Sequence, residues 1–344
     1  MYQHETAPGM IYDIYEDTDE FLQSIPTVGY NTYTDKGKKY LYFRSGFDIE
    51  TTLFKRHSYM YHGQWSIDRK ICLFRKWSDF QRVYEHLLNI AKKHKATIVV
   101  WVANLGYEFS FMCRRIKISR IFAKEERHPL TVTSGKLQFR DCLAVSGQGG
   151  LENLAKNYCT TKKLVGDLDH TKKLRNSYSQ LTAKEKAYCI NDVAILSEWA
   201  QYCYDRWIQN DEGHIPLTIT GICRNAVKDA AGSQIERIKK LIAYCYPKTQ
   251  KEYKFMMRYL FRGGFTHANI VHVGREIENV IGVDYTSSYP AVMMHYGGYP
   301  VSPFIPCTLE TDGVHITDYK LQNKAVWFIA EFYDISNDIS QHRI

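Results

Sequence analysis

No stretch of this 344-residue chain approaches the roughly 20 consecutive apolar residues that a bilayer-spanning helix requires. Its first twenty residues are rich in Asp and Glu rather than Arg, which argues against a mitochondrial or secretory address and for a cytoplasmic location. The nine cysteines include no Cys-x-x-Cys pair and no zinc-ligand spacing, so neither a disulfide framework nor a structural zinc site is expected. Scattered thiols of this kind suit a reducing compartment and read as small buried hydrophobes. Internal repeats and low-complexity tracts are also missing, which removes solenoid and linker-like architectures.

What is present is the composition of a folded protein, 44% hydrophobic and 24% charged, with enough length for two cores. The net charge of +8 is concentrated in Lys/Arg clusters at Lys92–Lys95, Arg114–Arg127, Lys162–Arg175 and Arg237–Lys240, several with Tyr interleaved. Such clusters fit a polyanionic partner, although any one of them is also what a solvated helix face looks like.

Residues 1–38 read as an acidic, turn-rich leader. Strand character follows over 40–49, 58–67, 70–75 and 98–102, with an amphipathic helix over 78–94. A helix near 105–114, strands at 129–134 and 136–143 meeting at Ser134-Gly135, and a helix near 150–158 come next. Thr182 and Glu185 form a capping-box signature that opens a long helix to about Ile208. A helical connector fills 216–260, followed by strands over 268–273 and 277–283 and a short helix over 286–294. The class is α/β, and the order of strand meander, helix, strand and helices is that of a ribonuclease-H-like domain.

Three short acidic motifs stand out. Asp48 and Glu50, two apart on a strand, leave the same face. Holding two carboxylates side by side away from water is costly unless a cation relieves the repulsion. Glu108 sits one turn into the helix after the 98–102 strand, with Asn104 at the expected cap. Tyr188 and Asp192 share a helix face at i, i+4 spacing, so the carboxylate can hold a metal while the phenol orients a water. Singly, each motif also describes a surface strand or an exposed helix face. Together they supply an oxygen-only set of four carboxylates suited to two Mg²⁺ or Mn²⁺ ions, the arrangement that drives in-line phosphodiester displacement.

These segments resemble the Exo I, Exo II and Exo III motifs of the proofreading 3′–5′ exonuclease of family B DNA polymerases, specifically the protein-primed subgroup of bacteriophages, adenoviruses and linear plasmids. The resemblance covers about residues 40–300. Phe139-Arg140-Asp141-Cys142-Leu143 is similar to the family's single-strand-binding segment, and Leu164 to Asp169 to the loop before Exo III. By resemblance, Asp48, Glu50, Glu108, Tyr188 and Asp192 are catalytic, and Thr51, Asn104, Tyr107, Cys142 and Leu143 line the cleft for the frayed primer end. Several positions depart from the pattern. Glu108 replaces the usual Asp, Cys142 the usual Ser and His170 the usual Tyr. A lysine common just before Gly-Asp is Val165, with Lys162 and Lys163 close by, which leaves the role of stabilising the scissile phosphate unassigned.

Downstream, Phe261-Arg262-Gly263-Gly264 resembles the family's Tyr-x-Gly-Gly linker, which contacts template backbone, and Asp284 to Pro290 resembles polymerase motif A. There Asp284 would bind metal, Ser288 would lie on the triphosphate and Tyr289 would pack under the incoming sugar. The implied organisation is an exonuclease domain over 39–212, a helical connector over 213–260 and a partial polymerase palm over 261–344. Tyr15 to Asp19 spells the motif C consensus, but it lies upstream of motif A in an acidic segment and is set aside. With no convincing motif B or C after motif A, this chain is expected not to polymerise unaided. It reads as the amino-terminal part of a split polymerase completed by a second chain, or as a truncated product. Expected partners are single-stranded and primer-template DNA, dNTPs once completed, and a terminal protein. The alternatives are a free-standing exonuclease of the same fold, or a DNA- or terminal-protein-binding module whose nuclease has decayed.

Overall fold

The computed structural model describes residues 1–165, 173–209, 214–246, 248–260, 272–295 and 302–303. Compact units separate at Val227/Lys228.

The first unit is built on a nine-stranded mixed sheet. Its strands are β1 (Tyr2–Ala7), β2 (Met10–Tyr15), β5 (Ser45–Phe54), β6 (His57–Ile67), β7 (Lys70–Phe74), β8 (Ile98–Val102), β9 (Arg120–Glu125), β10 (His128–Ser134) and β11 (Leu137–Asp141). A separate two-stranded ribbon joins β3 (Thr32–Asp35) and β4 (Lys38–Leu41). Spatial order in the large sheet is β1-β2-β7-β6-β5-β8-β11-β10-β9. The meander β5-β6-β7 is antiparallel, whereas β8 runs parallel to both β5 and β11.

β8 explains why the sheet is covered on both faces. All five of its residues are buried, and they divide by the two-residue period of a strand. Ile98, Val100 and Val102 enter one core with Phe47, Trp65, Phe80, Leu87, Leu105 and Phe139, beneath α1 (Thr18–Ser24), α2 (Trp77–Lys93) and α3 (Leu105–Met112). Val99 and Trp101 enter a second core beneath α4 (Cys142–Ser146), α5 (Leu151–Tyr158) and α6 (Ala183–Tyr204), which includes Leu154, Leu196 and Trp199.

The α/β class and most elements agree with the expectations. Residues 1–38, read as a leader, instead supply β1, β2, α1 and β3. Tyr12 and Ile14 of β2 are buried, and β2 pairs in parallel with β7. The acids of this segment sit outside that apolar alternation; Asp17 of the motif C look-alike caps α1, accepting from the amides of Asp19 and Glu20. β9 was also unforeseen, since its wholly exposed residues carry no burial pattern. The expected capping box opens α6.

The long contact between α6 and β5 requires a residue without a side chain. A Cβ on Gly46 would lie 2.5 Å from Leu196 Cβ, well inside van der Waals contact. The Gly46 amide donates to Ser66 Oγ, and that hydroxyl donates to Val193 O of α6, pinning helix to sheet.

The helix α7 (Ile219–Ala231) spans the division between the units. In the second unit, α8 (Ile235–Cys245), α9 (Gln250–Phe255) and α10 (Ser288–His295) are described. Helices over the expected connector and over 286–294 are therefore present. The strand expected at 277–283 is not, because a strand exists only through its ladder partners and this segment has none among the described residues.

Replacing Gly46 with alanine should force α6 off β5. An overpacking cost of about 1–3 kcal/mol is expected, read as a lower urea midpoint with unchanged slope.

Candidate metal centre

Asp48 and Glu50 alternate on β5 with the core residues Phe47 and Ile49, so both carboxylates emerge on the face that α6 covers. From α6 comes Asp192, itself buried. One carboxylate oxygen from each of the three lies within 4.8 Å of the others. Among the described residues this is the cluster able to hold a metal ion.

Four neighbours hold the acids in place. Gln64, fully buried on β6, donates from Nε2 to Asp48 Oδ2 (2.7 Å) and Glu50 Oε1 (3.2 Å). His62, two residues away on the same strand, lies 3.4 Å from Gln64 Oε1 through Nδ1. Burial pushes the His62 pKa down to about 4, and the two carboxylates, as acceptors, turn the NH₂ of the Gln64 amide toward themselves and its Oε1 toward His62. The Cys189 thiol donates to Glu50 Oε1 at 3.8 Å. Lys163 places Nζ 2.5 Å from Asp192 Oδ1 and 3.5 Å from the centre of the Tyr188 ring.

Lys163 and Gln64 were not assigned from sequence. Lysine was sought at position 165, but Val165 is 89% exposed and the cation arrives from two residues earlier. A helix-borne clip sets this register: Asn191 donates from Nδ2 to Lys162 O and accepts from the Leu164 amide, gripping the backbone on either side of Lys163. Glu198, about two turns further along α6, accepts from the amides of Thr160 and Thr161 and from the Thr161 hydroxyl. A buried Asn beside the motif Asp was the available signal. For Gln64 it was an amide within an apolar strand. The remainder of the loop, from Gly166 to His170, lies outside the described residues.

Glu108 is buried at the start of α3, and its Oε2 has no hydrogen-bond partner. It is not one of the three clustered acids, although Asp48 is close enough to repel it. Asn104 adopts a left-handed backbone (φ 60°) at the head of α3, without the expected side-chain cap. Asp141 takes that role, accepting from the Leu105 amide through Oδ2 and from the Leu143 and Ala144 amides through Oδ1, so one carboxylate caps α3 and α4 together.

Of the residues expected to line a DNA cleft, Asn104 and Tyr107 are exposed and the Thr51 hydroxyl bonds the Tyr107 phenol. Cys142 is not at a surface: it is fully buried in the core under α4, because the first turn of that helix faces inward. Leu143 is half-buried against the same core. Phe261 to Gly264 lie outside the described residues. In the second unit Asp284, Ser288 and Tyr289 are exposed, and Asp284 belongs to no metal-capable group among the described residues.

Burial, followed by the charge of Glu50, pushes the Asp48 pKa up to about 7. Glu50 rises to about 7 through burial and then Asp192. Asp192 also reaches about 7 through burial, with Lys163 opposing and Asp48 adding to the rise. Glu108 is raised by burial first and then by Asp48. These acids lack positive charge, Lys163 notwithstanding. An all-oxygen donor set and a buried carboxylate oxygen without a partner are compatible with a divalent cation, and the Lys163 ammonium shows that the cluster attracts positive charge.

No protein-family model matches the chain, and no curated protein does. Solved structures that are similar include three at 18% identity. "Phi29 DNA polymerase complexed with single-stranded DNA" has a TM-score of 0.47, with 66% of this chain and 41% of that one covered. Its ternary complex with primer-template DNA and incoming nucleotide substrates also gives 0.47, covering 67% and 41%. The post-translocation binary complex with primer-template DNA gives 0.45, covering 66% and 40%. The chain thus spans about two fifths of the length of these structures.

Because unfolded carboxylates ionise near pH ~4, the folded site binds more protons than the unfolded chain between there and pH 7. Metal-free protein should therefore lose stability as pH rises through that window. Melting followed by circular dichroism should show a melting temperature several degrees lower at pH 8 than at pH 5.5, recovered with MnCl₂. Asp48→Asn should flatten the metal-free difference.

Proposed function

We propose that the first unit is a metal-dependent 3′–5′ exonuclease with a ribonuclease-H-like core, acting on single-stranded 3′ ends. The convergence of Asp48, Glu50 and Asp192 beside Lys163 carries this reading. We further propose that the chain is the amino-terminal portion of a protein-primed family B DNA polymerase, divided at 39–212, 213–260 and 261–344, with the residues before 39 completing the sheet of the exonuclease. Asp284, Ser288 and Tyr289 belong to its nucleotide-addition site, and Arg262 and its neighbouring glycines to the linker on the template backbone.

Asp48, Glu50, Asp192 and Glu108 would hold Mg²⁺ or Mn²⁺, which when bound supplies Lewis acidity and lowers the pKa of water. Gln64 fixes the two β5 carboxylates so that they do not turn away from one another. The Tyr188 phenol, on the Asp192 face of α6, orients the attacking water. Lys163 spans the space between Tyr188 and Asp192; as the phosphodiester gains charge its ammonium transfers hydrogen bonding from Asp192 to a non-bridging oxygen. The Thr51–Tyr107 hydrogen bond holds an aromatic ring at the cleft wall, where the terminal base of a frayed strand packs.

The test is release of nucleotides from a 3′-labelled single strand with MgCl₂. The combined change Asp48→Ala and Glu50→Ala should abolish release, whereas Lys163→Ala should lower the turnover rate about 10²–10³-fold, as loss of one charge-stabilising donor does elsewhere, with little effect on KM. Undiminished cleavage by the double variant would end the proposal.

A further inference from the structure

The basic segment between residues 114 and 127 takes no part in the metal centre. It holds six cations (Arg114, Arg115, Lys117, Arg120, Lys124 and Arg127) against two acids, all of them exposed. Among the described residues none of the six forms an ion pair. Much of it is β9, the outermost strand of the sheet, and every residue of β9 is exposed. Its outer edge leaves backbone donors and acceptors unpaired.

Both ends of β9 are tied to places of consequence. At the far end Arg120 pairs in register with Thr133, next to the β10-β11 turn that carries Lys136. There the ammonium of Lys38 is disfavoured by burial, then by Arg140, Lys136 and Arg120, which draws four cations into one neighbourhood. Arg140 is buried, forms no ion pair among the described residues, and leaves Nη1 without a hydrogen-bond partner. At the near end, the β9-β10 turn presses on the head of α3: a Cβ on Gly106 would meet Arg127 O at 2.5 Å. The residues that follow Gly106 are Tyr107, hydrogen-bonded to Thr51, and Glu108, whose Oε2 lacks a hydrogen-bond partner and whose carboxylate is close enough to Asp48 to be repelled by it.

Between these ends, residues 120–122 pair regularly with 131–133, so Arg120 and Phe122 project from one face, with Phe122 45% exposed. Neighbouring same-face positions on a strand lie about 7 Å apart, comparable with the phosphate spacing of an extended single strand. A cation next to an exposed ring offers a phosphate contact beside a base-stacking platform. A solvated edge protecting itself from aggregation would carry the charges, but it gains nothing from exposing Phe122 and Ile121 among them.

We propose that β9 and its flanking cations form a track for single-stranded DNA, leading from Lys38, Lys136 and Arg120 past Phe122 and Lys124 to Arg127 at the mouth of the metal centre. This rests on the exonuclease reading for its destination, but not for its existence. The track runs about 20 Å along six residues of strand, so it engages several nucleotides beyond those in the cleft. Short oligonucleotides do not reach it.

The full chain and the variants Arg120→Glu/Lys124→Glu and Phe122→Ala are titrated by fluorescence anisotropy against labelled dT₂₀ and dT₄ in EDTA, over a salt series. Cleavage of both oligonucleotides is then timed in MgCl₂. The charge variant should bind dT₂₀ at least tenfold more weakly, with a salt slope shallower by about two. Phe122→Ala should weaken dT₂₀ binding about fivefold without altering that slope, and dT₄ cleavage should be unchanged in both. Unaltered dT₂₀ affinity in the charge variant overturns the track, as does an equal loss on a 20-base-pair duplex. Absent cleavage by the unmodified chain, with the dT₂₀ losses intact, would instead fail the nuclease reading and leave the track standing.

Discussion

Repulsion among carboxylates that packing will not let separate is the constraint on which the first unit turns. β5 must present two acids to the underside of α6, and α6 must bring a third. Gly46 allows the helix to close, and Ser66 ties the two elements through its hydroxyl. The hydrophobic cores on either side of the sheet supply the stability that opposes this strain. Buried, mutually repelling acids with raised pKa values are a familiar mark of functional sites, since burial for its own sake selects apolar side chains.

The acids were legible because their logic is local. Two residues on a strand, or four on a helix, define a face before any tertiary contact is known. Lys163 was not legible in that way, because it sits on an irregular segment whose register is dictated from a distance by Asn191 and Glu198. Cys142 was assigned to a cleft by its neighbours in sequence, yet the inward turn of α4 buries it. Asp141 beside it does the structural work expected of Asn104, an exchange invisible until β11 and β8 are seen to lie side by side. For β2 the obstacle was composition: Asp13 and the acids that follow masked the short alternation of Tyr12 and Ile14, which pairing with β7 makes useful.

The second unit differs in character. Its helices arise where a helical connector was expected, and α9 opens on a full capping box at Thr249 and Glu252. Helix formation needs only near neighbours, whereas the strand anticipated at 277–283 depends on distant partners. That contrast explains why one kind of expectation survived there and the other did not.

Asn191 and Asp192 are consecutive on α6, and one grips the backbone around the cation while the other receives its charge. A rigid shift of that helix therefore carries ammonium and carboxylate as a single passenger. Movement of α6 against β5 would change the distance to Asp48 and Glu50 without parting Asp192 from its ammonium.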